Sequence, residues 1–159
     1  MIDHLVLVAT VLATVGSGLV AGLMFAFSAC VMAALGRLPA AQGIAAMQSI
    51  NVAILNPAFR LLFFGTTTSC VLLAVIAAFA DQPGALWRVA GSLLFIVGAF
   101  LVTIVVNVPL NNALADVDPA SSEGARLWQR YLARWTVWNH VRTVAAGGAT
   151  AALALALQS

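Results

Sequence analysis

The stretch Trp135-Thr136-Val137-Trp138-Asn139-His140-Val141-Arg142-Thr143 holds the densest polar chemistry of the chain and leads straight into an apolar run. An imidazole can take a proton near neutral pH, a guanidinium is a fixed cation able to stabilise an oxyanion, and an amide both donates and accepts hydrogen bonds. Asn107 and Asn111 stand four residues apart and share one helix face, so they can present two more amides beside that of Asn139. Arg60 adds a second cation near the start of another apolar run. A base, cations and three amides suit abstraction of a proton from a weak acid and stabilisation of the anion left behind.

Each of these residues also has a plainer reading. Intramembrane amides often serve as interhelical hydrogen-bond glue worth about 1 kcal/mol or less. His140 can bond a backbone carbonyl or Thr136, Arg142 can pair with Asp116 or Asp118, and Trp135 and Trp138 suit an interfacial aromatic belt. At helical spacing Val137, Val141, Val144, Gly148 and Leu155 form one side of the helix, with Asn139 opposite. Arg142 and Trp138 then lie to one side of Asn139, and His140 with Thr136 and Thr143 to the other. Only one of His140 and Arg142 can face the centre of a bundle.

The elements that position these residues are read from composition. The chain is 63% hydrophobic and 8% charged, has no Lys, and has a mean hydropathy of +1.05. These are the values of a membrane protein. With roughly 20 apolar residues needed per span, spans are expected at about 4–35, 57–80, 88–112 and 135–157. The predicted fold is all-α, an integral membrane four-helix bundle formed by one domain over residues 1–159. The first run lacks the basic start of a signal peptide and reads as a span. Its Gly18-x-x-x-Gly22, with Gly16, marks a close-packing helix.

Residues 37–56 and 120–134 read as short interfacial helices in the first and third loops, the latter capped near Ser121-Ser122-Glu123 with Arg126, Arg130 and Arg134 on one face. Asp81-Gln82-Pro83-Gly84 reads as a turn, followed by Trp87 and Arg88 as interfacial anchors, and Pro109 as a kink. Arginine is concentrated in loops one and three, which places these loops in the cytoplasm and both termini on the opposite side of an inner or plasma membrane. Asn51, Asn56, Arg60 and the Asn107–Arg142 set all fall at the cytoplasmic end.

Several function classes lose support. No basic stripe suits nucleic acid. The two cysteines are far apart, and no His pair or intramembrane carboxylate completes a metal site. No acidic residue lies deep in a span, which disfavours a proton-coupled carrier.

The pairing of "NVPLNNAL" (Asn107–Leu114) with "WQRY" (Trp128–Tyr131) and "WTVWNHVRT" resembles the anthrone oxygenase family of small membrane proteins, over essentially the whole chain. The resemblance implies oxidation of a flat, phenolic, lipophilic anthrone-type substrate to a quinone with molecular oxygen and no metal or flavin, a haem or flavin being left open. In that setting His140 is the expected base and Arg142, assisted by Arg60, the oxyanion clamp. Asn107, Asn111 and Asn139 would bind phenolic oxygens, and Trp138, Phe25 and Phe27 would stack on the rings. The expected partners are the lipid bilayer, the aromatic substrate and, through self-association, a second copy. The alternative is a non-catalytic membrane protein that binds a small lipophilic ligand or a partner.

Overall fold

A computed structural model of the chain describes residues 2–79 and 83–159. Among these residues the fold is all-α. Helix α1 runs over Ile2–Ala26, passes through a π-helical turn at Phe27–Val31 and ends as Met32–Gly36. Helix α2 covers Ala40–Ala53, and α3 covers Pro57–Phe79. Helix α4 spans Ala85–Ala115 and contains two π-helical stretches, Leu94–Leu101 and Thr103–Asn107. Helix α5 is one unbroken element over Ser122–Ala156.

Three helices, Asp3–Gly36, Pro57–Phe79 and Ala85–Ala115, are long and apolar enough to cross a membrane. Only 22% of the most apolar window of each is buried inside the protein. The rest points outward, as with Leu12, Leu19 and Phe79 at 57%, 57% and 88% exposure. Such surfaces suit lipid rather than water, and the chain is a membrane protein. The fourth expected span, 135–157, is helical to Ala156 but is not among these three. Its Ala- and Gly-rich sequence carries Asn139, His140 and Arg142, which lower its hydropathy.

The bundle has two apolar cores. The first is built from a stripe on α1 (Val6, Ala9, Ala13, Val20, Met24), Phe63, Cys70 and Leu73 of α3, Phe95 and Ala99 of α4, and Ala146, Ala149 and Leu153 of α5. Intervals of three and four residues put each set on one helix face. Small residues let the backbones approach. A Cβ on Gly91 would stand 2.7 Å from Leu153 Cγ, and one on Gly98 would collide with the Cβ of Ala145. Within the predicted small-residue motif, Gly18 faces Thr150 of α5, whereas Gly22 faces open space.

The second core joins Met32 and Leu35 of α1 to Ile44 and Met47 of α2, Leu114 of α4, and Trp128, Tyr131 and Trp135 of α5. Helix α2 therefore buries one face in the protein. It is also tied to α4 by Gln48 Nε2, which donates to the carbonyls of Leu114 (2.9 Å) and Val117 (3.1 Å) and so satisfies acceptors that a helix end leaves orphaned.

Two local expectations change. The interfacial helix predicted at 120–134 and the span after it are one continuous helix, because no proline separates Arg134 from Trp135 and the change from polar to apolar does not break a helix. Ser121 does cap its start, Oγ accepting from Gly124 N at 2.9 Å. At Pro109 the irregularity lies before the proline, in the π-helical stretch Thr103–Asn107; the ring removes the N–H that would continue ordinary α bonding. Gly84 takes the turn conformation with φ 74°, whereas Ala80, Asp81 and Gln82 of the predicted span end and turn lie outside the described residues.

Candidate functional site

Where the two cores meet, α5 carries Trp135, Asn139 and Arg142 inward, at 5%, 1% and 6% exposure. These residues recur at intervals of four and three, which places them on one face. Val137, Val141 and Val144 point out on the other side at 59%, 41% and 75% exposure, as the periodicity predicts. The opposing elements present their π-helical turns. Ser28 comes from Phe27–Val31, and Thr103 and Asn107 come from Thr103–Asn107. A π-turn shifts the register of the side chains beyond it and is common at functional sites.

Arg142 is the centre of the cluster. One terminal nitrogen donates to Thr103 Oγ1 at 3.1 Å and the other to Asn139 Oδ1 at 2.6 Å. Its guanidinium carbon lies 5.1 Å from the centroid of the Trp135 ring, a cation–π contact. Nε is buried without a hydrogen-bond partner. The aspartates proposed as counter-ions do not serve: Asp116 and Asp118 are exposed, and Asp118 Oδ1 accepts from Ala120 N. Arg142 is thus a buried cation held by neutral groups, since oxygens of an alcohol and an amide and an indole face lie around it instead of a carboxylate.

Asn139 fixes that arrangement by donating Nδ2 to the Met24 carbonyl (2.7 Å) and to Ser28 Oγ (2.8 Å) while its oxygen receives Arg142. Of the three predicted amides, Asn107 and Asn111 meet Trp135, whereas Asn139 meets Arg142. Asn107 Nδ2 donates to the Trp135 carbonyl at 3.3 Å, leaving its buried Oδ1 unpartnered. Asn111 Oδ1 accepts from both Trp135 Nε1 and Tyr131 Oη at 2.8 Å. Trp135 is therefore an internal hub, not a belt residue, and Phe27 packs on its ring at a centroid distance of 5.7 Å. Tyr131, one turn before the predicted fourth span, has its phenol pKa pushed up by burial, against a hydrogen bond to Asn51 and the positive charge of Arg142.

The remaining predicted site residues are not brought to this cluster. His140 is exposed on the outer side of α5. Arg60 is exposed at the start of α3 and donates Nε to the Leu55 carbonyl at 2.7 Å. Phe25 points outward at 61% exposure, and Trp138 is half-buried. Trp135 as a hub, together with Ser28, Thr103 and Tyr131, was not anticipated. The i, i+4 spacings of Thr103 with Asn107 and of Tyr131 with Trp135 were the available signal. Among the described residues no three His, Cys, Asp or Glu side chains come together. A cavity of about 240 Å³ near Asp3, Thr10 and Arg88 and a surface groove beside Arg126 and Arg130 both lie away from Arg142.

Residues 59–152 match the family model described as anthrone oxygenase. That stretch contains Thr103, Asn107, Asn111, Tyr131, Trp135, Asn139 and Arg142. No curated protein and no solved structure matches the chain.

Proposed function

The chain belongs to the anthrone oxygenase family, and we propose that it oxidises a flat, lipophilic, weakly acidic aromatic substrate with molecular oxygen at the Arg142 cluster. The observation that carries this reading is a buried guanidinium that has no carboxylate partner among the described residues and one unpartnered N–H. A fixed cation in low dielectric favours ionisation of a bound enol or phenol and holds the resulting oxyanion. The electron-rich anion gives one electron to oxygen, and the carbon radical and superoxide combine to a peroxide. Loss of water then leaves a ketone, so that a methylene plus O2 becomes a carbonyl plus water.

In this reading Asn107, with its free buried oxygen, receives a substrate hydroxyl, and Asn111 and Asn139 orient the protein groups around the anion. Phe27, packed on the Trp135 ring, borders the cluster and moves aside when substrate enters. His140 faces the other way and does not touch the anion; the proton passes to solvent. The apolar half of α5 completes the bundle as its fourth membrane-crossing helix, and the arginine-rich end faces the cytoplasm.

A second reading is non-catalytic ligand binding, favoured by the cavity of about 240 Å³ near Asp3, Thr10 and Arg88, away from Arg142. Thr103→Asp separates the two. An aspartate at the position whose oxygen accepts from Arg142 neutralises the cation and leaves the Asn139 bonds in place, so the wild type speeds conversion of a simple anthrone, followed by quinone absorbance, and the variant does not. Unchanged conversion by this variant rules out the anion-stabilising role.

A further inference from the structure

Helix α5 carries a ladder of aromatic rings that leads away from Arg142. Trp135 stacks on Tyr131 with centroids 6.1 Å apart and planes 24° apart, and Tyr131 stacks on Trp128 at 5.6 Å and 15°. All three are buried, at 5%, 1% and 1% exposure. Spacings of four and three residues put them on one helix face, where three large side chains fill the second core. Packing alone needs apolar volume, which Leu or Phe supplies. Here the two most easily oxidised ring types available to a protein are stacked in series as Trp, Tyr and Trp, beginning at the residue that lies against the proposed oxygen site.

We propose that this ladder carries one-electron oxidising equivalents away from the Arg142 cluster, from Trp135 to Trp128. An oxygen-centred radical that escapes the site takes one electron from the Trp135 ring. The radical cation so formed lies 5.1 Å from the Arg142 guanidinium, where like charges repel in a low-dielectric interior. Trp128, two rings further on, is free of that repulsion and supplies the electron, so that Trp135 is restored and Trp128 becomes the radical cation. Tyr131 acts as a bridge and is not itself a stopping point. The hydrogen-bond acceptor of its phenol is the amide oxygen of Asn111, too weak a base to take the proton that tyrosine oxidation releases. A soluble one-electron reductant of the thiol or ascorbate class then reduces Trp128. The ladder rests on the oxygenase reading only for its natural oxidant.

The test supplies its own oxidant, so its outcome is independent of whether the protein turns over an anthrone. Detergent-purified protein is irradiated with a ruthenium polypyridyl sensitiser and a cobalt(III) electron acceptor, and oxidised tryptophan is located by peptide mass spectrometry. Of the two ladder tryptophans, product is expected mainly at Trp128, with the exposed Trp87 oxidised alike in every variant as the internal reference. Tyr131→Phe, which keeps the ring, leaves that pattern intact. Tyr131→Leu, which removes it, shifts product to Trp135, and Trp135→Phe lowers product at Trp128. Should Tyr131→Leu not fold, the Trp135→Phe comparison decides. Product mainly at Trp135 in the wild type, or product at Trp128 unaffected by Trp135→Phe, overturns the proposal.

Discussion

Replacing Asn139 by Ala should destabilise the protein more than any other single-amide change. The side chain makes three hydrogen bonds: Nδ2 to the Met24 carbonyl at 2.7 Å, Nδ2 to Ser28 Oγ at 2.8 Å, and Oδ1 from Arg142 at 2.6 Å. The last involves a charge and is worth about 1.5–3 kcal/mol; the two neutral ones are worth about 0.5–1.5 kcal/mol each. The expected loss is about 3–5 kcal/mol, because Arg142 is left with only Thr103 as a hydrogen-bond partner. For a chain of this size that corresponds to a fall in Tm on the order of 10 °C. The assay is thermal unfolding in detergent, read by circular dichroism and by the monodisperse fraction on size exclusion. Ser28→Ala, which removes the bond from Asn139 and a longer one with Thr143 Oγ1 at 3.4 Å, should lower stability by about 1 kcal/mol. Equal effects of the two changes would refute the view that Asn139 holds the buried cation in place.

His140→Ala should leave oxygen uptake with an anthrone within about twofold of wild type, since the residue is exposed on the outer side of α5; by the relation of rate to barrier height, complete loss would mean several kcal/mol of transition-state stabilisation and would restore the base assignment. Gly98→Val should destabilise by about 1–3 kcal/mol, measured by the same unfolding assay, because its side chain meets Ala145 of α5. Tyr131 is the only tyrosine, so its ionisation can be followed by ultraviolet absorbance without interference. Burial raises its folded-state pKa above the unfolded value of about 10, so the folded form keeps a proton that the unfolded form loses. Stability should therefore fall as pH rises above about 10, and Tyr131→Phe should flatten that fall in denaturation midpoints measured across alkaline pH.

The sequence made the membrane character and the helical class legible, because charge-free apolar runs have few other uses. It also made the orientation of α5 legible in part: Val137, Val141 and Val144 point out and Asn139 in, as a 3.6-residue period requires. The choice between His140 and Arg142 was legible only in part. Arg142, three residues after Asn139, lies about 60° from it around the helix, whereas His140 lies about 100° away on the other side, and Thr103 on the neighbouring helix holds Arg142 inward. The π-helical turns that deliver the Ser28 and Thr103 hydroxyls depend on tertiary packing and carry no strong local signal beyond Pro109. Trp135 resembled a belt tryptophan because that is the commoner fate of tryptophan at the end of a span, whereas its N–H in fact meets Asn111. Arg60 and Phe25 have the right chemistry but point outward, which composition cannot reveal.

The most direct test of the account is oxygen uptake by the detergent-purified protein with a simple anthrone, comparing wild type with Arg142→Gln. Uptake above the spontaneous rate is expected in the wild type, with a loss on the order of 100-fold or more in the variant, the size found when a group that stabilises a developing oxyanion is removed. Uptake that is equal in the two proteins would contradict the assignment of Arg142 as the anion-stabilising centre.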